Sequence, residues 1–190
     1  MKRAIRNYHK SFLNLIEAVR VTGNHSKKID FEQGIENTCK TVKKCSSVAG
    51  SVFFIGNGGS SAIANHMAID FWKNAKIKSL SFSDSALLTC ISNDFGYEHV
   101  YAKPINFFAG PKDVLFAISS SGRSKNILNG VTAAKSKQAR IITLSGFDSN
   151  NPLRAMGICN FYVPSCEYGL VEIVHQYICH CIVDMLIRIE

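Results

Sequence analysis

The sequence lacks an uninterrupted apolar run of about 18 residues, the length that a membrane-spanning helix needs. Charged side chains interrupt the apolar positions of residues 1–20, and no small-residue cleavage site follows them. We therefore expect neither a secretory signal nor an association with a membrane.

Internal repeats, low-complexity tracts and linkers are also absent, so a chain of 190 residues predicts one domain over residues 1–190.

Cysteine pairs with metal-binding or redox spacing are absent too. The seven cysteines are an odd number and form no C-x-x-C motif, and several lie in apolar runs such as "YICHCIVDML". Cys179 and Cys181 are two positions apart in a predicted helix, where side chains so spaced point to different faces. We therefore expect free thiols, a reducing compartment and a location in the cytoplasm.

Nucleic-acid-binding motifs of the helix-turn-helix or C2H2 type are missing, and so is any long basic block, although the formal net charge is +8. The basic residues are scattered as short pairs, such as Lys27–Lys28 and Lys43–Lys44. A positive balance is compatible with nucleic acid, an acidic membrane surface or an anionic small molecule. The scattered pattern favours a solvated basic surface or an anionic substrate, and we expect no nucleic-acid contact.

Two helices are predicted at the N-terminus. Apolar residues recur at helical spacing over residues 2–21, and the stretch "TGNHSKK" then interrupts the pattern. Asp30 is suited to cap a second helix over residues 30–48, whose apolar positions again share one face. We expect residues 1–48 to form a helical extension that packs on the rest of the domain or between subunits.

Short apolar strands alternate with helices through the rest of the chain. The predicted strands are "SVFFIG", "IKSLSF", "DVLFAIS", "ARIITLSG" and "NFYVPS", and a long apolar helix is predicted over residues 167–189. "VFFI" and "IITL" lack polar alternation, which is typical of strands buried on both faces. The alternation predicts a five-stranded parallel sheet with helices on both faces, in an α/β fold of three-layer α-β-α sandwich type.

Two of the predicted strands end in loops suited to an anion. "GNGGSS" follows residues 53–55 and "SSSGRS" follows residues 114–118, and a helix follows each loop. Glycines let the backbone approach an anion, while the helix N-terminus and the serine hydroxyls supply donors. The dinucleotide fingerprint and the G-K-[ST] of a P-loop are both absent. A phosphorylated small molecule therefore fits the loops better than a nucleotide does.

His66 and Asp70 lie four positions apart in the helix that follows "GNGGSS". Residues so spaced share a helix face and can meet one metal ion or one substrate. Pairs of this kind are common on helix surfaces, so the position of this pair directly after a phosphate-type loop is what suggests a site.

Four segments of the chain share residues with a known family. They are "GNGGSSAIANHMAID", "ISNDFGYEHVYAKPI", "DVLFAISSSGRSKNIL" and "VEIVHQYICH". The first three resemble the G-N-G-G-S-A-x-x-A-x-H-x-A-x-E, N-D-x-G-[YF]-E and D-V-L-x-x-I-S-[TS]-S-G-x-S-x-N-[VI]-L segments of the phosphoheptose isomerases, in the sugar isomerase (SIS) fold family. The fourth resembles that family's Q-E-x-H-x-x-x-x-H pattern less closely. The matches occur in the family's order and at comparable spacing.

This resemblance implies a flavodoxin-like SIS fold and a ketose–aldose isomerase. The implied reaction converts sedoheptulose 7-phosphate to D-glycero-D-manno-heptose 7-phosphate through an enediol, the entry step to bacterial heptose for lipopolysaccharide or capsule. A cytoplasmic homotetramer is also implied, with active sites between subunits and a zinc ion, or another divalent metal, in each site. Two alternatives stay open: a non-catalytic SIS module that binds a sugar phosphate as a regulator or adaptor, as DnaA-binding relatives do, and an isomerase of another sugar phosphate.

The resemblance also implies roles for individual residues. The phosphate-holding positions fall on Ser119, Ser120, Ser121 and Ser124, with Ser120 where the family usually has threonine. Positions that line the sugar pocket fall on Asn57, Gly58, Ser60, Asp94 and Glu172. The implied metal ligands are His66, Asp70, Glu172 and His180, with Asp70 as the catalytic base and His180 as its acid/base partner.

The chain departs from the family pattern at two of these positions. Asp70 replaces a glutamate and is one methylene shorter, and Glu172 replaces a glutamine. On one unbroken helix Glu172 and His180 are about 12 Å apart along the axis, so both reach one ion only if the helix breaks, if the side chains extend far, or if they come from different subunits. His175, on the same face as Glu172, is a candidate to replace a ligand or to contact substrate. Arg123, in the second loop, is a candidate to neutralise phosphate charge.

Overall fold

The computed structural model describes residues 1–188, except for the side chain of His25. The helices are α1 (Lys2–Glu17), α2 (Phe31–Ser47), α3 (Gly59–Lys73), α4 (Ser85–Phe95), α5 (Ala102–Phe108), α6 (Lys125–Ser136) and α7 (Tyr168–Arg188). The strands are β1 (Arg20–Thr22), β2 (Lys28–Ile29), β3 (Val52–Gly56), β4 (Ser79–Ser81), β5 (Val114–Ser119), β6 (Arg140–Ser145) and β7 (Cys159–Tyr162). Short 3-10 helices cover Asn24–Ser26, Tyr97–His99 and Pro152–Ala155.

The strands form one sheet in the order β2-β1-β7-β6-β5-β3-β4. The five strands expected from the sequence are all present and pair in parallel, which confirms the α/β class. The expected strand count is wrong, because the described residues form seven strands. The two additional strands, β1 and β2, pair antiparallel with each other, and β1 also pairs antiparallel with β7. With three and two residues, they are too short to show a strand pattern in the sequence.

Strand β3, and β6 beyond its first residue, are buried on both faces, as the apolar runs "VFFI" and "IITL" predict, and the strand between them, β5, is buried throughout. Phe54 of β3 stacks on Phe116 of β5 with ring centroids 4.8 Å apart, and Phe71 of α3 meets both rings edge-on. Residues of α2, α3 and α7 complete the core on this face. Residues of α5 and α6 complete the core on the other face, around Phe53 and Leu115. The helices on the two faces thus make the expected three layers.

The N-terminal segment, residues 1–48, is not helical throughout, because β1 and β2 lie between its two helices and pair into the sheet. Asp30 caps α2 as predicted, since its Oδ1 accepts a hydrogen bond from Gln33 N at 2.7 Å. At Gly34, α2 lies so close to β1 that an added Cβ would come 2.7 Å from Val21 Cγ1. By contrast, Leu15 is the one buried residue of α1. The division at residue 48 between an extension and a main body stays a prediction.

Helix α7 is the most apolar long element of the fold. It is 21 residues long and has a mean hydropathy of 1.5 over 18 residues, so by length and composition alone it could span a membrane. Half of that window is buried inside the fold, and residues such as Val174, Ile178 and Ile182 belong to the core that α7 shares with α2 and α3. The composition of α7 is therefore explained by its place as a core helix of the sandwich.

All seven cysteines are free thiols, as predicted. Four of them are buried, and burial raises the pKa of the Cys179 thiol to about 12 and that of Cys39 to about 11. A thiol with a raised pKa is little ionised at neutral pH and behaves as a small apolar side chain.

Candidate active site

The two predicted anion loops come together because β3 and β5 are parallel neighbours. Gly56 at the end of β3 is opposite Ile118 near the end of β5. The residues that follow these strand ends line a cavity of about 210 Å³. Its lining consists of Asn57, Gly58, Gly59, Ser60, Ser119, Ser120, Ser121, Ser124, Tyr168 and Glu172. The structure thus brings together every predicted substrate-binding residue except Asp94.

The glycine loop is a tight strand-to-helix turn that only glycine can form. Gly58 has a φ of +54°, which disfavours other residues, and no atom lies within 4 Å of where its Cβ would be. A Cβ on Gly56 would overlap the backbone of Ser60. Asn57 is held beside the loop by a reciprocal amide pair with Asn126, with both N–O distances at 2.8 Å. The loop therefore presents backbone and a fixed amide to the cavity.

The serine loop, residues 119–124, presents hydroxyls and backbone donors to the same cavity. Ser119 Oγ accepts a hydrogen bond from Gly122 N at 3.2 Å and lies 3.5 Å from Ser124 Oγ. Ser124 is the N-cap residue of α6, but its hydroxyl makes no capping bond. Ser120 Oγ is buried without a hydrogen-bond partner in the described residues. Unused hydroxyls beside a helix N-terminus form a donor set suited to a phosphate.

His66, Asp70 and His180 form a second group, built by α3 and α7. Asp70 Oδ2 lies 3.3 Å from His66 Nε2 and 3.8 Å from His180 Nδ1, and the two imidazole centroids are 5.3 Å apart. One ligand atom from each residue lies within 4.8 Å of the others. Two imidazole nitrogens and a carboxylate oxygen are a donor set that zinc accepts, and three protein ligands leave a position open for substrate or water. The group therefore fits a divalent metal.

Glu172 lies away from this group within one chain. Its carboxylate is beside Gly59, where an added Cβ would come 2.6 Å from Oε1. Helix α7 is unbroken from Tyr168 to Arg188, so the rise of about 12 Å between Glu172 and His180 is not shortened. The structure places Glu172 in the serine-lined cavity and leaves it out of the group of possible metal ligands that a single chain forms.

Comparisons with known proteins extend over most of the chain. A family model described as the SIS domain matches residues 8–146. A phosphoheptose isomerase of Histophilus somni is 35% identical over 147 residues, which cover 74% of each chain. Another from Cytophaga hutchinsonii is 31% identical over 178 residues, which cover 90% of this chain and 93% of the relative. The chain belongs to the phosphoheptose isomerase family of SIS domain proteins. The family expected from the sequence motifs is thereby confirmed.

The fold is also that of a solved family member. The structure of a phosphoheptose isomerase from Francisella tularensis superposes with a TM-score of 0.84 at 25% identity, covering 98% of this chain and 97% of that chain. The superposition covers nearly the whole chain, so it is not limited to the five parallel strands that the sequence predicts.

Two residues expected at the site lie elsewhere in this phosphoheptose isomerase homologue. Asp94 is exposed near the end of α4, where its Oδ1 accepts a hydrogen bond from Asn93 Nδ2 at 2.9 Å, and it does not line the serine cavity. Arg123 turns away from the cavity and pairs with Asp148, with Nη2 and Oδ2 2.6 Å apart. Neither residue therefore lines the cavity of its own chain, although Arg123 belongs to the serine loop.

His175 is a structural residue, so its candidacy as a ligand or substrate contact is wrong. Its side chain is completely buried, and its Nε2 lies 3.2 Å from the carbonyl oxygen of Ser145 at the end of β6. Burial lowers the pKa of His175 from 6.5 to about 4, against the opposing effect of that hydrogen bond. A neutral imidazole here ties α7 to the carboxyl edge of the sheet.

Tyr168 is a lining residue that the sequence motifs did not indicate. It begins α7 directly after β7, and its ring meets Phe147 edge-on with centroids 4.7 Å apart. The helix that follows the last strand begins at the same edge of the sheet as the two loops. An aromatic residue at the start of that helix is the sequence feature that could have identified Tyr168 as a lining residue.

A His175→Gln variant tests the buried neutral imidazole. Because the unfolded chain binds a proton near pH 6.5 and the folded chain only near pH 4, this residue's contribution to stability is complete above pH 6.5 and is lost as the pH falls toward 4. Between pH 7 and pH 5 the unsubstituted chain should lose roughly 2 kcal/mol more unfolding free energy than the variant. Urea unfolding at both pH values measures this difference. His9→Gln, on the exposed face of α1, is the control, and parallel pH profiles for the unsubstituted chain and His175→Gln would contradict the assignment.

Proposed function

We propose that the chain interconverts sedoheptulose 7-phosphate and D-glycero-D-manno-heptose 7-phosphate through an enediol, the entry step to bacterial heptose for lipopolysaccharide or capsule. The observation that carries this proposal is a phosphate-type cavity between the two loops, which α3 and α7 also line, with a His–Asp–His group further along the same two helices. The relatives named phosphoheptose isomerase, which cover most of the chain, support it.

The spacing between cavity and group suits a seven-carbon sugar phosphate. From Gly59 at the cavity to His66 the helix rises roughly 10 Å, and from Glu172 to His180 roughly 12 Å. An extended chain advances about 1.2 Å per bond, so the roughly eight bonds from phosphorus to C1 of a heptose 7-phosphate span about 10 Å. With its phosphate on the serine loop, the sugar places C1 and C2 beside Asp70 and His180.

The reaction requires a base for a carbon-bound proton and an acid for the neighbouring oxygen. Asp70 is the proposed base, because its carboxylate is largely buried and lies between the two imidazoles. His180 is the proposed acid/base partner, and its Nδ1 is 3.8 Å from Asp70 Oδ2. Asn57, Gly58, Ser60 and Glu172 would orient the hydroxylated carbons between the phosphate and the reacting end.

Zinc, or another divalent metal, is the proposed cofactor. His66, Asp70 and His180 would hold it, and when bound it would stabilise negative charge that develops on the substrate oxygens. A fourth ligand from Glu172 would have to come from a neighbouring subunit, because Glu172 of the same chain lies two helical turns away. In its own chain Glu172 is placed to contact the sugar.

The proposed assembly is a homotetramer with active sites between subunits. Large apolar side chains are exposed on both helices that carry the His–Asp–His group, namely Ile69 and Trp72 on α3 and Ile173 and Tyr177 on α7. Exposed apolar surface beside a site is typical of a protein interface.

The proposed location is the cytoplasm, which the seven free thiols support.

The assembly makes a specific prediction about mass. Sedimentation equilibrium should give four times the chain mass of 21.0 kDa, and Trp72→Glu should lower the mass, because a charge would then face the apolar surface of another subunit. Lys76→Glu, a charge change at an exposed residue just beyond the end of α3, serves as the control. A monomer at every concentration would contradict the tetramer.

Turnover tests the enzyme itself. Purified protein with zinc and sedoheptulose 7-phosphate should form the aldose 7-phosphate, followed by NMR, and Asp70→Asn should lower kcat by about 10²- to 10⁴-fold because it removes the base. Asp184→Asn, which changes an exposed carboxylate on α7, should leave kcat unchanged.

Other outcomes separate the alternatives. A folded protein that binds the sugar phosphate without turning it over would favour the non-catalytic regulator. Turnover of a different ketose phosphate alone would favour an isomerase of another sugar. Full activity in Asp70→Asn would contradict only the assignment of the base.

Metal binding can be measured apart from turnover. After chelation and dialysis, titration should give one zinc per chain, and His66→Gln should weaken zinc affinity by more than about 100-fold because it removes one of three ligands. His99→Gln is the matched control outside the group. Glu172→Ala should leave zinc affinity unchanged if the same chain's three residues suffice, and a large loss would show that Glu172 is a ligand.

A further inference from the structure

The serine loop rests on the segment that follows β6. This segment, residues 146–151, contacts the serine loop from behind, on the side away from the cavity lining. Gly146 N donates a hydrogen bond to Ser120 O at 2.9 Å. Just beyond the segment, Leu153 N donates to Gly122 O at 3.2 Å. The shape of the serine loop therefore depends on how residues 146–151 are held.

Asn151 holds that segment in place. Its side chain is 97% buried, with a relative exposure of 3%. Its Nδ2 donates to Gly146 O at 3.1 Å and to Asp148 O at 2.8 Å, and it lies 3.3 Å from Ser145 Oγ. Its Oδ1 accepts a hydrogen bond from Arg154 N at 3.0 Å, so Asn151 caps the 3-10 helix Pro152–Ala155. Every hydrogen-bonding atom of the amide is used, so the orientation of the side chain is fixed.

Gly122 of the serine loop packs directly on this amide. Its φ of +61° is a conformation that glycine adopts readily. A Cβ at Gly122 would overlap the Oδ1 and Cγ of Asn151 and would come 2.9 Å from its Cβ. The turn that separates Ser121 from Ser124 therefore lies directly against one buried side chain, with no room at position 122 for a residue larger than glycine.

A second contact at the surface joins the same two segments. Arg123 Nη2 and Asp148 Oδ2 are 2.6 Å apart, and both side chains are about half exposed. An exposed ion pair contributes little to stability. The buried contact between Gly122 and Asn151 is therefore the one that can set the position of the loop.

We propose that Asn151 is a positioning residue for the phosphate site, which fixes the turn at Gly122 and through it the Ser121 and Ser124 hydroxyls. The proposal rests on the proposed function only in taking the serine loop as the phosphate site. Asn151 lines no part of the cavity and touches none of His66, Asp70 and His180. Its loss should weaken phosphate binding and leave metal binding intact.

The first experiment compares Asn151→Ala with Asn150→Ala. Asn150 is exposed in the same segment, and its side chain makes no hydrogen bond in the described residues, so it is a matched control. Calorimetry with inorganic phosphate and with sedoheptulose 7-phosphate should show Kd raised about tenfold or more in Asn151→Ala and unchanged in Asn150→Ala. Zinc affinity of the His66–Asp70–His180 group should stay within about twofold in both, which a general loss of structure would not allow.

The second experiment tests the contact from the other side. Gly122→Ala should also raise the Kd for inorganic phosphate, because its Cβ would overlap the Asn151 amide. In the Asn151→Ala background the same change should raise Kd by a smaller factor, since the overlapped Oδ1 and Cγ are gone, and this non-additivity reports a direct coupling. If Asn151→Ala fails to fold, Gly122→Ala alone must weaken phosphate binding with zinc binding intact.

The outcomes separate this proposal from the proposed function. Unchanged phosphate affinity in a folded Asn151→Ala protein, or strictly additive effects in the double variant, would overturn the positioning role and leave the isomerase untouched. Asn151-dependent phosphate binding without any turnover would contradict the isomerase and leave the positioning role intact.

Discussion

The parallel pairing of β3 with β5 is the constraint on which the rest of the site depends. Parallel strands end at the same edge of a sheet, so the chain that leaves Gly56 and the chain that leaves Ser119 start their loops side by side. Burial of both strands on both faces, with Phe54 stacked on Phe116, fixes their register. Neither loop alone encloses a ligand, but together they line one cavity, to which helix α7 adds Tyr168 and the carboxylate of Glu172.

The packing of α3 beside α7 supplies the other half of the site. Both helices begin at the edge that carries the cavity, and both lie on the same face of the sheet. His66 and Asp70 from one helix therefore meet His180 from the other two to three turns below the loops. The buried His175 stabilises this arrangement, because it ties α7, the helix that carries Glu172 and His180, to the end of β6. Sheet order therefore sets where the serine-lined cavity lies, and helix rise sets how far from it the His–Asp–His group lies.

The parts of this site that the sequence predicts are those set by short-range geometry. The glycine and serine loops, the His66–Asp70 spacing and the Asp30 cap depend on a few adjacent residues, and the structure has all three. Strands β1 and β2 are not evident from the sequence because β1 depends on pairing with β7, far away in the chain, and β2 depends on pairing with β1. The burial of His175 likewise follows from the packing of α7 on the end of β6, a contact between distant parts of the chain that residue spacing does not encode.

The two departures from the family pattern act at different ends of the site. Asp70 lacks a methylene, yet its Oδ2 is within 3.3 and 3.8 Å of the two imidazoles, so the shorter side chain still closes the His–Asp–His group. Glu172 brings a charge where the family has a neutral amide, but it does so beside Gly59 at the N-terminus of α3, where the helix dipole favours an anion. Under the proposed function the added charge would face the hydroxylated part of the substrate, while the His–Asp–His group of the same chain contains one carboxylate.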